Sequence, residues 1–270
     1  MDREPVVAGQ FYPKDPAALE REVLGYLGLA ESRENERTLL AMCPHAGYVF
    51  SGAVAGQTLG RANLAPLVLL LGPNHTGRGV PLSLWDRGAW RFPGGQLQVD
   101  AELAKALLDM APRLSVNYDA HLYEHSLEVL LPFLRCINPE TRIVPVAVAE
   151  PRVETLVELG GQIANVLATW KEPVSIVVSS DMSHYVSHAE AERRDRYALD
   201  KMVEVSPEGL YRTVRQLGIS MCGVYPMTVG LAACRALGAR EGALVAYATS
   251  GEVSGDYDRV VGYAGVLVPE

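Results

Sequence analysis

The amino-acid sequence predicts an α/β fold: a single domain with a mixed central β-sheet flanked by helices. Three observations predict it. Apolar runs of strand length recur at 39–43, 67–71, 142–148 and 175–179, some closed by proline or glycine, as buried parallel strands are. Helical stretches with apolar stripes alternate with these runs. Hydrophobic residues make up 49% of the 270, and neither an internal repeat nor a low-complexity linker divides residues 1–270, so one sizeable core is expected.

In chain order, residues 5–13 read as an extended arm ending in Phe11-Tyr12-Pro13. Leu19, Val23, Tyr26 and Leu27 form an apolar stripe that predicts a helix over 17–29. A charged loop at 31–37 leads into the strand at 39–43, and a helix is expected over 52–61. Pro66 and Gly72-Pro73 bracket the strand at 67–71. Residues 76–95 hold no clear long element; carrying Trp85, Trp90, Phe92 and several glycines, they read as a binding loop. Asp100 caps a helix over 101–111, and a helix over 121–134 is interrupted by Pro132. The strand at 142–148 precedes a strong helix over 152–169 and the strand at 175–179. A charged amphipathic helix covers 190–205, and Ser206-Pro207-Glu208 starts a shorter one with proline at the first helical position. A helix over 226–237 stops at Gly238. Strands at 244–248 and 260–268 follow, joined by a polar loop at 251–258.

The formal net charge of −8 argues against a general nucleic-acid binder, which needs a basic surface. Met1-Asp2-Arg3-Glu4 opens without the basic and apolar regions of a secretory signal, and no apolar run is long enough to span a bilayer, so a cytoplasmic protein with no membrane partner is expected. Cys43, Cys136, Cys222 and Cys234 form no C-x-x-C pair and are expected to be free thiols.

The chemistry gathers at strand ends. The chain has six histidines. His45 follows the first run in Pro44-His45-Ala46-Gly47-Tyr48, His75 follows the second in Gly72-Pro73-Asn74-His75, and His184 follows a later one in Ser179-Ser180-Asp181-Met182-Ser183-His184. Open α/β sheets bind ligands at the carboxyl ends of their strands, and histidines brought together there point to a metal or acid–base site. Asp181, three residues before His184, is placed to orient that imidazole and raise its basicity. His121 and His125 have the spacing that shares one helix face, but Glu124 is out of place for an H-E-x-x-H site. His125 and Glu128 therefore read as support for a site, and His121 and His188 as surface residues. Cys222-Gly223 lies just ahead of a helix, where a thiol has a lowered pKa and serves as a ligand or nucleophile. Cys43 shares a strand face with His45 and is a secondary candidate. Cys222, His184 and Asp181 also have the residue types of a cysteine hydrolase.

Taken together, the motifs resemble the Memo family, whose prokaryotic members are called AmmeMemoRadiSam system protein B. They are Val7-Ala8-Gly9-Gln10-Phe11-Tyr12-Pro13, Pro44-His45-Ala46-Gly47-Tyr48, Leu71-Gly72-Pro73-Asn74-His75, Glu124-His125-Ser126-Leu127-Glu128, Ser179-Ser180-Asp181-Met182-Ser183-His184 and Cys222-Gly223. The resemblance implies a fold like that of class III extradiol ring-cleaving dioxygenases. It implies a metal held by two histidines and a cysteine, which by motif are His45, His75 and Cys222. His184 then occupies the acid–base position, with His125 and Asp181 in or just behind the pocket. Fe(II) is the implied cofactor, while a thiolate ligand also invites copper or zinc. Functional association with a radical-SAM protein is implied as well.

The leading expectation is a metal-binding redox protein with an oxygenase-like site. A small-molecule substrate binds there, His184 takes its proton, and Tyr48 and the aromatic stretch at 85–92 shape the pocket. A second expectation is a non-catalytic scaffold that binds a peptide or partner protein on a degenerate dioxygenase fold. The cysteine hydrolase ranks last because it leaves His45 and His75 without a role.

Overall fold

A computed structural model describes residues 1–270. Its strands are β1 (Thr38–Cys43), β2 (Leu67–Pro73), β3 (Leu82–Leu84), β4 (Ala89–Phe92), β5 (Gly95–Val99), β6 (Ser115–Val116), β7 (Arg142–Val148), β8 (Val174–Ser179), β9 (His184–Val186), β10 (Ala243–Thr249) and β11 (Val260–Pro269). Its helices are α1 (Pro16–Leu27), α2 (Tyr48–Arg61), α3 (Ala101–Met110), α4 (Asp119–Leu122), α5 (Leu131–Ile137), α6 (Val153–Ala168), α7 (His188–Val203), α8 (Pro207–Leu217), α9 (Val224–Ala236) and α10 (Gly251–Ser254).

One mixed sheet runs through the molecule in the order β10-β11-β1-β8-β2-β7-β3-β6. Its centre is parallel: β1 pairs with β8, β8 with β2, and β2 with β7. Every residue of β1, β2 and β8 is buried, which is why these strands read as unbroken apolar runs rather than alternating ones. Side-chain alternation splits each run between two cores. Leu40, Met42, Leu69 and Leu71 join a large cluster with α6 and α9, while Ala41, Cys43, Val68 and Leu70 join a second cluster with α1, α2 and α5.

The helix signals hold where local chemistry decides them. Asp15 accepts from Ala18 N at 2.8 Å and Asp100 from Leu103 N at 2.8 Å, each capping an N-terminus. Gly218 and Gly238, with φ of 60° and 103°, close α8 and α9 in conformations that suit glycine.

Three expectations are corrected. Residues 76–95 carry β3, β4 and the start of β5 rather than an irregular loop, and Trp85 and Trp90 are fully buried in the second core, where they support the fold. The helix expected over 121–134 breaks into α4, a 3-10 turn at Glu128–Leu130 and α5, leaving 123–127 irregular. His121 is wholly buried between Trp85 and Trp90 rather than on the surface.

Candidate metal centre

Strand order builds the centre. β1, β8 and β2 are adjacent and parallel, with Cys43 level with Ser179 and Leu71 level with Val178. Their carboxyl ends therefore open side by side, and the loops beyond them deliver His45, Asp181 and His75 to one edge of the sheet. Cys222 comes from the turn before α9, a helix that packs across β1, β8 and β2. Gly223 N donates to Ser180 Oγ at 3.0 Å, and a Cβ on Gly223 would overlap Ser180, so glycine permits the turn to seat against β8. The irregular 123–127 segment brings in His125. It passes so close to β2 that a Cβ on Gly72 would lie 2.7 Å from Leu127 Cδ2.

One ring nitrogen from each of His45, His75 and His125 lies within 4.8 Å of the others. The rings sit at centroid distances of 5.2 Å (His45–His75), 5.6 Å (His45–His125) and 4.9 Å (His75–His125). Cys222 Sγ is 3.4 Å from His45 Nε2 and accepts from Asp181 N at 3.2 Å.

Hydrogen bonds assign the tautomers. Ser179 Oγ lies 2.6 Å from the Ser126 carbonyl, which can only accept, so the hydroxyl proton goes there. The 2.7 Å contact between His45 Nδ1 and Ser179 Oγ then requires His45 Nδ1–H to donate. His75 Nδ1 donates to the Glu124 carboxylate at 2.9 Å. His184 Nδ1 donates to the carbonyls of Met182 at 2.8 Å and Ser220 at 2.9 Å. In the neutral state all three imidazoles present a bare Nε2. The ring nitrogens of His45, His75 and His125, with the Cys222 thiol beside His45, form a borderline N/S donor set suited to a transition metal.

The electrostatics differ across the centre. Burial, reinforced by the neighbouring His75 and His125, pushes His45 well below the ordinary histidine range. Burial opposes protonation of His75 too, but the hydrogen bond and charge of Glu124 outweigh it and hold His75 above that range. Glu124 is held down to about 2: burial opposes ionisation, but His75 and the N–H groups of Ser126 and His75 prevail. Burial raises Asp181 despite the N–H that His45 donates to it at 2.7 Å. The Cys222 thiol is raised as well, by burial and then by Asp181.

The Memo-like protein family matches this chain over residues 3–267. The chain belongs to the Memo family. A MEMO1 family protein of Methanopyrus kandleri is 40% identical, over 99% of each chain. MEMO1 family proteins of Aquifex aeolicus and Methanosarcina barkeri are 41% and 39% identical, covering 98% of this chain and 98% and 99% of theirs. The fold is similar to that of an uncharacterized protein, JW3007, from Escherichia coli K12: the TM-score is 0.53 at 11% identity, over 84% of this chain and 99% of the other.

In this Memo chain, His45, His75, His125, Asp181 and Cys222 come together, and His184 stands at the end of the adjoining β8 loop. Several roles read from sequence change. Asp181 does not orient His184; it accepts from His45 N and flanks His45 Nε2 at 4.0 Å, while Ser220 and Met182 hold His184. Cys222 pairs with His45 rather than His184, so the hydrolase triad is not assembled. The thiol is raised rather than lowered because burial outweighs the helix end. Cys43 lies in the second core, where burial raises its thiol. Tyr48 is buried, and its hydroxyl donates to the Val129 carbonyl at 2.6 Å rather than facing a ligand. Glu124 was missed as a functional residue; the signal available was a carboxylate beside His125 in a polar stretch between apolar runs.

Proposed function

We propose that this protein binds a redox-active transition metal, Fe(II) first and copper or zinc as alternatives, in a site like that of an oxygenase. The observation that carries the reading is the convergence of one ring nitrogen from each of His45, His75 and His125, with the Cys222 thiol 3.4 Å from His45 Nε2. In this reading His45, His75 and Cys222 are the ligands, and His125 lines the same space. A bound metal would supply Lewis-acid polarisation of a substrate oxygen and access to oxygen chemistry. The protein's own groups do the rest. Ser179 and Glu124 orient the two ligand imidazoles. Asp181 balances positive charge from within hydrogen-bond reach of the His45 backbone. His184, fixed through Nδ1, has Nε2 free to take a proton from a small-molecule substrate. Four free cysteines fit a reducing cytoplasm. Functional association with a radical-SAM protein belongs to the same proposal.

The test is anaerobic reconstitution with Fe(II), Cu(I) and Zn(II), with metal analysis of wild type and of His45→Ala, Cys222→Ser and His125→Ala. One equivalent of a single metal is expected in wild type and in His125→Ala, with loss in the other two variants. Retention in Cys222→Ser with loss in His125→Ala would replace the thiol by a third imidazole. No stoichiometric binding of any of the three metals would overturn the reading.

One observation favours the scaffold reading. The two most exposed aromatic rings, Tyr123 and Tyr185, flank site residues, each with an arginine over its face: Arg78 at 4.8 Å and Arg259 at 5.5 Å. Peptide binding that survives both metal removal and His184→Ala would favour that reading.

A further inference from the structure

The irregular segment after α4 joins three parts of the molecule that are far apart in sequence. At its amino end, Glu124 has a side chain only 2% exposed, and its carboxylate accepts three hydrogen bonds. Oε2 accepts from His75 N at 2.5 Å, and Oε1 accepts from His75 Nδ1 at 2.9 Å and from Ser126 N at 2.9 Å. His125 Nδ1 lies 3.5 Å from the same Oε1. At its carboxyl end, the wholly buried Glu128 accepts from Val6 N, Val7 N, Tyr12 Oη and Arg3 Nη1, at 2.6–3.0 Å. Arg3 also reaches back to the carbonyls of His121 at 2.8 Å and Glu124 at 2.5 Å. The amino-terminal arm thus holds the segment, and the segment holds His75.

We propose that Glu124 is the positioning residue of the centre: its carboxylate locks His75 in the Nδ1–H tautomer, so that Nε2 is left bare in the cluster with His45 and His125. An ionised carboxylate has no proton to donate, so its partner nitrogen must carry one. It binds both the backbone and the ring of His75, which sets the loop and the imidazole together. This inference rests on the metal-site reading for its purpose, but its geometry is a property of the metal-free protein.

The experiment records long-range 1H–15N spectra of the imidazoles in the metal-free full chain, at a pH above the histidine range. Wild type is expected to show His75 protonated at Nδ1 and bare at Nε2. Glu124→Ala removes both acceptor oxygens; His75 is expected to shift toward the Nε2–H form that a free imidazole favours while the His184 signals stay in place. Co(II) binding, read from its thiolate charge-transfer band, is expected to weaken about 10- to 100-fold in Glu124→Ala. Glu124→Asp, which restores an acceptor-only group, should return His75 to the Nδ1–H form. A wild-type His75 in the Nε2–H form overturns the proposal without any variant, so it is testable even if Glu124→Ala fails to fold. An unchanged tautomer and unchanged Co(II) affinity in Glu124→Ala overturn it too. A tautomer shift in a protein that binds no Co(II) would support the role of Glu124 and count against the metal reading alone.

Discussion

His45 and His75 stand 5.2 Å apart, centroid to centroid, and are held in opposite ways. His45 is buried beside His75 and His125 and gives its Nδ1 proton to a neutral serine hydroxyl, so burial and the neighbouring imidazoles prevail and protonation is resisted. His75 is about one-third exposed and gives the same proton to a carboxylate, so a charge on the ring is welcomed. Both present a bare Nε2 when neutral. One donor geometry is thus built from two electrostatic supports. One is a dry neutral relay through Ser179 and the Ser126 carbonyl, and the other a charged relay through Glu124. Both relays pass through the same short segment, so the two halves are linked mechanically while their charges differ.

Releasing that segment should disturb both relays most. Glu128→Ala leaves Arg3 buried without its partner and strands the N–H groups of Val6 and Val7. A loss of about 3–5 kcal/mol is expected in chemical denaturation, with His75 and His125 resonances disturbed more than that of His45. A stability loss below about 1 kcal/mol would show that the arm is not an anchor.

Ser179→Ala attacks the neutral relay alone. It removes the acceptor of His45 Nδ1–H and the donor to the Ser126 carbonyl, both buried, for an expected cost of about 1–3 kcal/mol. His75 should keep its tautomer in this variant, because Glu124 is untouched. A change in the His75 tautomer would mean that the two relays are not separate.

The smallest effect, taken over a single pH unit, lies beneath the charged half. Burial lowers His121 from 6.5 to about 3 despite the bond from its Nε2 to the Ser83 carbonyl. Between these values the unfolded chain binds a proton that the folded protein refuses, so stability rises with pH across that window. The slope from this one group is at most about 1.4 kcal/mol per pH unit. His121→Gln should flatten the stability curve between about pH 3 and 6.5. An unchanged curve would show that His121 is protonated in the folded state.

Much of the fold was legible because the signals are local. β1, β7 and β8 were read to within a residue, since their side chains meet apolar neighbours on both sheet faces and polar residues mark where they stop. His45 and His75 can be placed at strand ends for the same reason, since each follows such a run, whereas the third imidazole of the cluster, His125, reads from sequence only as support. The stretch at 76–95 misled because its tryptophans sit among glycines, yet the rings turn inward onto the second core and form short strands. The 121–134 stretch misled because its apolar spacing suits a helix, while Glu124 and His125 turn toward His75 and unwind it. The acid-to-imidazole pairing was misassigned because Asp181 is close in sequence to His184 but, across the β1–β8 pairing, is hydrogen-bonded to His45.

Local sequence alone specifies most strand and helix segments and which strands end in polar, histidine-bearing loops. Apolar periodicity and turn chemistry act over a few residues, and a single chain displays them in full. The order of β8 between β1 and β2, the contact of Cys222 with His45, and the pairing of Glu124 with the His75 imidazole follow only from how the chain packs. Those outcomes depend on hydrogen bonds and burial between residues as much as 177 positions apart, and the energy of such a contact exists only once the sheet has brought its partners together.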